Sequence, residues 1–267
     1  MTTRAASALV FGIAASAVLS SCAREGVVLR LDPPEGQTVH QRMESRTWTA
    51  MGEAAPSDTA TPTMTARIYS TQTVAMTEPG VRTITVTIDS SWLEVRAGTL
   101  MPAMGGDWMK GITTVRRVNN DGDVLSMATK AGPSTPPMMA GRMPGYGSSA
   151  GQYSFPKRAL RVGDTWTASI AAPGQPGGAP PVASTLTAKL EKIETRNGAQ
   201  LATISSKGSG GASASGAMSV SGSYTLEMVV DVTHRRLARM TSESRTRIGS
   251  PMGPMSSLTR VTMTSEE

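Results

Sequence analysis

The sequence predicts a mainly β protein made of long antiparallel hairpins, with few short helices. Three observations carry that reading. Apolar residues recur at every second position over long stretches, Thr and Val are frequent within those stretches, and short Gly-containing turns separate them. No convincing apolar stripe of helical period runs for roughly ten residues or more.

Taken in order, the first apolar segment after residue 22 is Val27–Leu31, read as a strand. Met64, Ala66, Ile68, Ser70, Gln72, Val74 and Met76 then share one parity, with Thr, Arg and Tyr on the other. Ile84, Val86 and Ile88 alternate with Thr, and the longest stripe runs from Met218 through Tyr224, Leu226, Met228 and Val230 to Val232. Such patterns predict strands with one buried face. Pro79-Gly80, Asp121-Gly122 and Asn197-Gly198 each lie between two strand patterns, where Gly and Asn supply the positive φ of a tight turn. A fourth turn is expected near Thr233-His234, and a last short strand over Ser257–Thr264. Short helices are expected, if anywhere, in Thr99–Lys110 or Ser154–Leu160.

These pieces divide the mature chain into a β-rich half over residues 22–130, a Pro/Gly/Met-rich linker over 131–156 and a second β-rich half over 157–267. Ala171–Pro181 and Lys207–Gly216 read as further loops. Each half opens on a Gly-containing step, Glu35-Gly36-Gln37-Thr38 and Val162-Gly163-Asp164-Thr165, followed by a long hairpin and then a second hairpin. Either two similar lobes curving into a half-barrel or one continuous meander gives that order.

Composition narrows the class. Hydrophobic residues make up 39% and charged residues 17%, enough to bury a core, yet two Phe stand against 18 Met. The single cysteine excludes an intramolecular disulfide. The formal charge of +6 is scattered, and its densest group, Arg235, Arg236, Arg239, Arg245 and Arg247, reads as the solvated face of a hairpin rather than a nucleic-acid surface. No nucleic acid is expected as a partner.

The most specific motif is at the front. Arg4 and the uncharged, largely apolar run Ala5–Leu19 have the pattern of a secretory signal peptide, here residues 1–21. The run, about 15 residues, is short for a membrane-spanning helix, which needs about 20. Leu19-Ser20-Ser21-Cys22 resembles the bacterial lipobox. That resemblance implies cleavage before Cys22, a diacylglycerol thioether and an N-acyl chain on Cys22, and a lipid bilayer as partner. Two or more chains anchor stably where one does not. Ala23 in the next position implies the outer membrane if the host has one, otherwise the outer face of the cell membrane. Only Ala23–Gly26 separate Cys22 from Val27, a tether of at most about 14 Å.

Other motifs meet stronger plain readings. Gly147-Ser148-Ser149-Ala150-Gly151 matches G-x-S-x-G, and Asp231 and His234 follow in hydrolase order, but a Pro/Gly loop precedes it and Pro156 follows, against the required strand and helix. Asn119–Asp123 lacks the acidic first and twelfth positions of a calcium loop and reads as a turn. Met101 and Met104, Met138, Met139 and Met143, and Met252 and Met255 form three groups in Pro/Gly-rich stretches. Thioethers are soft ligands suited to Cu(I), although Met also fills gaps in cores and can line a mobile cover over an apolar groove. No cofactor other than the covalent lipid is expected.

Arg161-Val162-Gly163-Asp164-Thr165-Trp166 resembles a step in an uncharacterised family of β-rich bacterial lipoproteins, over about Leu29 to Met263. That family implies no enzyme activity. Here Gly163 is expected to permit a bend, Asp164 to close a turn and Trp166 to anchor in the core. The sequence thus points to a non-catalytic envelope lipoprotein binding an apolar ligand or an envelope protein beside its membrane. Methionine-mediated copper handling is the alternative, and a hydrolase the third reading.

Overall fold

The computed structural model describes residues 26–52, 56–96, 107, 109–120, 122–133, 153, 155–171, 183–214, 218–249 and 253–266. Eleven strands account for most of them: β1 (Thr38–Met51), β2 (Met64–Glu78), β3 (Val81–Val95), β4 (Thr113–Asn119), β5 (Val124–Lys130), β6 (Thr165–Ala171), β7 (Ala183–Arg196), β8 (Ala199–Ala214), β9 (Met218–Asp231), β10 (Arg236–Gly249) and β11 (Met255–Glu266). No helix occurs among the described residues.

All eleven form one antiparallel sheet in the order β5-β4-β3-β2-β1-β11-β10-β9-β8-β7-β6. Every neighbour is also a sequence neighbour except one pair. β1 lies beside β11, with His40 opposite Glu266 and Met51 opposite Met255. The sheet does not close, and its edges are β5 and β6. The chain between those edges and the segment before β1 meet at one bridge, where Val27 and Leu160 exchange two backbone hydrogen bonds of 2.8 Å.

The period-two pattern decides which face is dry. Val39, Ile68, Val74, Ile84, Ile88, Val118, Leu186, Leu190, Ile204, Leu226, Met228 and Val230 all point to one face and are buried. Each full burial of this kind contributes about 1.5–3 kcal/mol. The main core packs β6 to β11 against Val27, Leu29, Tyr153 and Leu160, while two smaller clusters serve the first half. Met43 packs against both the main core and the cluster around Ile68, and Met109, Met228, Met240 and Met263 are buried, so methionine fills core space that Phe would otherwise take. The opposite face is rich in Thr and charge. There Arg46 and Arg67 flank Glu44 at 2.6 and 3.4 Å, Arg260 meets Glu243 at 2.9 Å, and Arg67 stacks 5.1 Å from the Trp92 ring.

Three expectations are corrected. Val27–Leu31 is not a strand: only Val27 makes a bridge, because Pro33 and Pro34 follow closely and the segment lies across the sheet's core face. Residues 207–214 are not a loop but the end of β8, where glycines let strands approach closely. The short helix expected over Ser154–Leu160 is absent from its described residues.

All four predicted turns join consecutive strands. The two Gly-containing steps also behave alike. Gly36 donates to the Val74 carbonyl, and Val74 donates back to Gln37. Gly163 donates to Leu190, and Leu190 donates back to Asp164. Both glycines have positive φ, +79° and +95°. Asp164 closes its turn by accepting from the Arg161 backbone at 3.1 Å, and Trp166 packs against the main core as expected. The two halves nevertheless form one continuous sheet, joined by β11, rather than two separate sheets.

Candidate functional site

The segment Val27–Pro34 brings a carboxylate into the interior. Asp32 is fully buried. Arg82, at the start of β3, donates to its Oδ2 at 2.5 Å and to its backbone carbonyl at 3.2 Å. Arg235, in the β9–β10 turn, donates to the same Oδ2 at 3.3 Å. Arg30 forms an ion pair with Oδ1 at 3.5 Å, an oxygen that accepts no hydrogen bond among the described residues. A buried charge survives only when paired. Asp32 is therefore the point at which the lead-in segment is held to both halves of the sheet.

Beside it is a cavity of about 210 Å³ between the lead-in segment, the β4–β5 hairpin, Tyr153 and residues 155–157. Its apolar wall includes Val28, Leu31, Val118, Val124 and Phe155, and its polar groups are Arg30, Arg116, Asp123 and Lys157. Tyr153 supports the inner side: its ring sits 5.0 Å from Phe155, and its hydroxyl shares a 2.6 Å hydrogen bond with Ser206. Burial pushes the Tyr153 phenol up to about 12, so it stays neutral at ordinary pH.

The cations around this cavity differ in one respect. Arg30, Arg82 and Arg235 face Asp32, and Lys157 meets Asp123 at 2.9 Å. Arg116 is half-buried on β4, between Thr114 and Val118 on the core face, and burial pushes its guanidinium below the ordinary value. No carboxylate pairs with it among the described residues. The cavity thus combines an apolar wall with one desolvated, uncompensated positive charge, a combination suited to holding an anion or polarising an oxygen.

The residues singled out from sequence mostly fall elsewhere. Leu19, Ser20, Ser21 and Cys22 lie outside the described residues, as do Met101, Met104, Met138, Met139, Met143, Met252 and Ser149, the serine of the G-x-S-x-G match. Met255 begins β11, beside Met51 on β1. No group of three or more His, Cys, Asp or Glu residues is arranged for a metal ion among the described residues. Asp231 and His234 do meet, at 2.7 Å, but inside the β9–β10 turn of an antiparallel sheet, where the His234 backbone also donates to Asp231. Asn119 and Asp123 close the β4–β5 turn on themselves. Arg235, placed by sequence on a solvated face, points at Asp32.

Asp32, Arg82, Arg116 and Tyr153 were not singled out. A signal existed for Arg116. In Thr114-Val115-Arg116-Arg117-Val118 it shares parity with Val118, so once β4 is placed it is the arginine that faces inward. Asp32 had no local signal.

No known family model matches the chain, and no curated protein is similar to it. Among solved structures, an outer-membrane channel from Pseudomonas putida F1 is similar at a TM-score of 0.31 and 10% identity, over 87% of this chain and 96% of that one. OmpF of Salmonella typhi, in complex with daunomycin, is similar at 0.26 and 5%, over 86% and 97%. Likenesses this distant carry no argument about this chain.

Proposed function

We propose that this protein is a non-catalytic lipoprotein of the cell envelope, acylated on Cys22, that holds an apolar ligand or a protein partner at its membrane surface. The observation that carries the reading is the position of the cavity. Its wall begins at Val28, six residues after Cys22 and so within about 22 Å of the acylated residue. A ligand taken from the bilayer would enter there without the domain leaving its membrane, and the cavity favours a ligand over a partner.

The sheet's other face supports an anchored domain over a spanning one. A membrane-spanning barrel wall needs an apolar outer band, and a charge at mid-bilayer costs about 2–4 kcal/mol for each Arg or Lys. Arg42, Arg46, Arg67, Arg239 and Arg260 share this face with Glu44, Glu227 and Glu243, so it suits water. With the core on the first face, neither side is free to meet hydrocarbon along the whole sheet.

Fractionation tests the anchor. The wild-type chain is expected in the membrane pellet, and the Cys22→Ala chain in the soluble fraction. A mutant that stays in the pellet after a carbonate wash would end the lipoprotein reading. Lipid found by mass spectrometry with purified protein would favour a ligand over a partner.

A further inference from the structure

We propose that the Arg116 cavity receives the oxyanion headgroup of an amphiphile, a phosphate or carboxylate group, with the attached chain lying along the apolar rim at Val28 and Val124. The proposal rests on the ligand-binding reading above and names the chemistry of that ligand.

Charge bookkeeping within the fold comes first. Arg116 is half-buried and has neither an ion pair nor a hydrogen bond among the described residues, while the two other cations lining the cavity, Arg30 and Lys157, each face a carboxylate. A desolvated cation is costly unless an anion meets it. Among the described residues Asp123 is the carboxylate at this wall, and it is held by Lys157 and by Asn119. The missing counter-charge must therefore come from outside this group. A guanidinium suits that role because its planar fork matches an oxyanion in two-point contact.

Size and surroundings then specify an amphiphile. Ligand pockets for whole small molecules span about 300–1,000 Å³, and this cavity, at about 210 Å³, holds a headgroup but not an acyl chain. The chain would have to lie outside. Val28 and Val124 are 44% and 45% exposed, giving it an apolar track at the mouth. Arg30 lines the same cavity, so a second positive group is within the headgroup's surroundings.

The test is calorimetric titration of the Cys22→Ala chain, which carries no acyl group to compete. Dihexanoyl phosphatidic acid, dihexanoyl phosphatidylcholine and inorganic phosphate are the probes, each lipid kept below its micellar concentration. Phosphatidic acid is expected to bind at one site, and Arg116→Gln to weaken it about tenfold or more, with Arg116→Lys keeping part of the affinity. Inorganic phosphate binding as tightly as phosphatidic acid, and equally sensitive to Arg116→Gln, would confirm an oxyanion site but overturn the amphiphile. Equal binding of phosphatidylcholine, unchanged in Arg116→Gln, would overturn the headgroup assignment and leave the ligand-binding reading standing. Failure of all three probes would overturn the proposal, and absence of co-purifying lipid as well would remove the ligand-binding reading with it. A circular-dichroism melt of Arg116→Gln matching the parent shows that lost binding is not lost folding.

Discussion

Arg116 and Asp32 are both charged groups withdrawn from water, and truncating them should have opposite effects. Asp32 is shared by three guanidinium groups from separate parts of the chain. Asp32→Ala leaves those charges facing one another in a dry site, and should cost about 3–5 kcal/mol. Arg116→Met removes a desolvated charge that nothing in the described fold compensates. It should leave stability unchanged or raise it by about 1–3 kcal/mol. Urea unfolding midpoints of both variants would check this contrast, and a large loss of stability in Arg116→Met would mean that the arginine has a structural partner. Asp231 is one of several carboxyls that contribute a pH dependence. Burial opposes its ionisation, but hydrogen bonds from the His234 backbone and ring, with the positive charges of His234 and Arg236, outweigh burial and hold its carboxyl below the ordinary value. A carboxyl depressed in the folded state contributes stability that is present above the unfolded value, about 3.9, and is lost as pH falls through the lower folded value. The melting temperature should therefore drop on acidification below about pH 4, and the acid limb should be shallower in Asp231→Asn.

Among the elements, turns were more legible than strand ends. Pro79-Gly80, Asp121-Gly122 and Asn197-Gly198 announce themselves because the required positive φ restricts the residue type. Gly163 belongs to this class. At φ +95° an added Cβ would meet nothing within 4 Å, so Gly163→Ala should cost only the conformational term, about 1–2 kcal/mol. Gly208 is different. It lies within β8 opposite Leu186, and a Cβ there would sit 2.4 Å from the Thr185 carbonyl and 2.7 Å from Leu186 Cδ2. Gly208→Ala should be the more destabilising of the two in chemical denaturation, because a strand backbone must move to admit one methyl group. The Ser/Gly composition of residues 207–214 was read as a loop for the same reason that it is a strand: small residues signal either freedom or close approach, and composition alone does not distinguish them. Trp166 and Asp164 were read correctly because a turn followed by a large apolar residue is a local pattern.

At the scale of the whole molecule, one pairing makes a single sheet of two meanders. β11 lies between β1 and β10, with Trp48 opposite Leu258 and Met240 opposite Met263. Deleting residues 255–267 should expose both neighbours as unpaired edges, and such edges recruit other chains. The truncated protein is expected to elute as aggregate in size-exclusion chromatography, while a monomer with an unchanged melting temperature would show that the joint is dispensable. Period two assigns each side chain to a face, and a tight turn assigns a strand to its hairpin partner. By itself, then, the sequence determined the β class, the hairpins and the inward parity of residues such as Ile204 and Met228. It could not determine that β1 lies beside β11, that Asp32 meets Arg82 and Arg235 at separations of 50 and 203 residues, or that Arg116 borders a cavity walled by Val28 and Phe155. Those contacts join segments with no local pattern in common, and only packing of the complete sheet brings them within reach of one another.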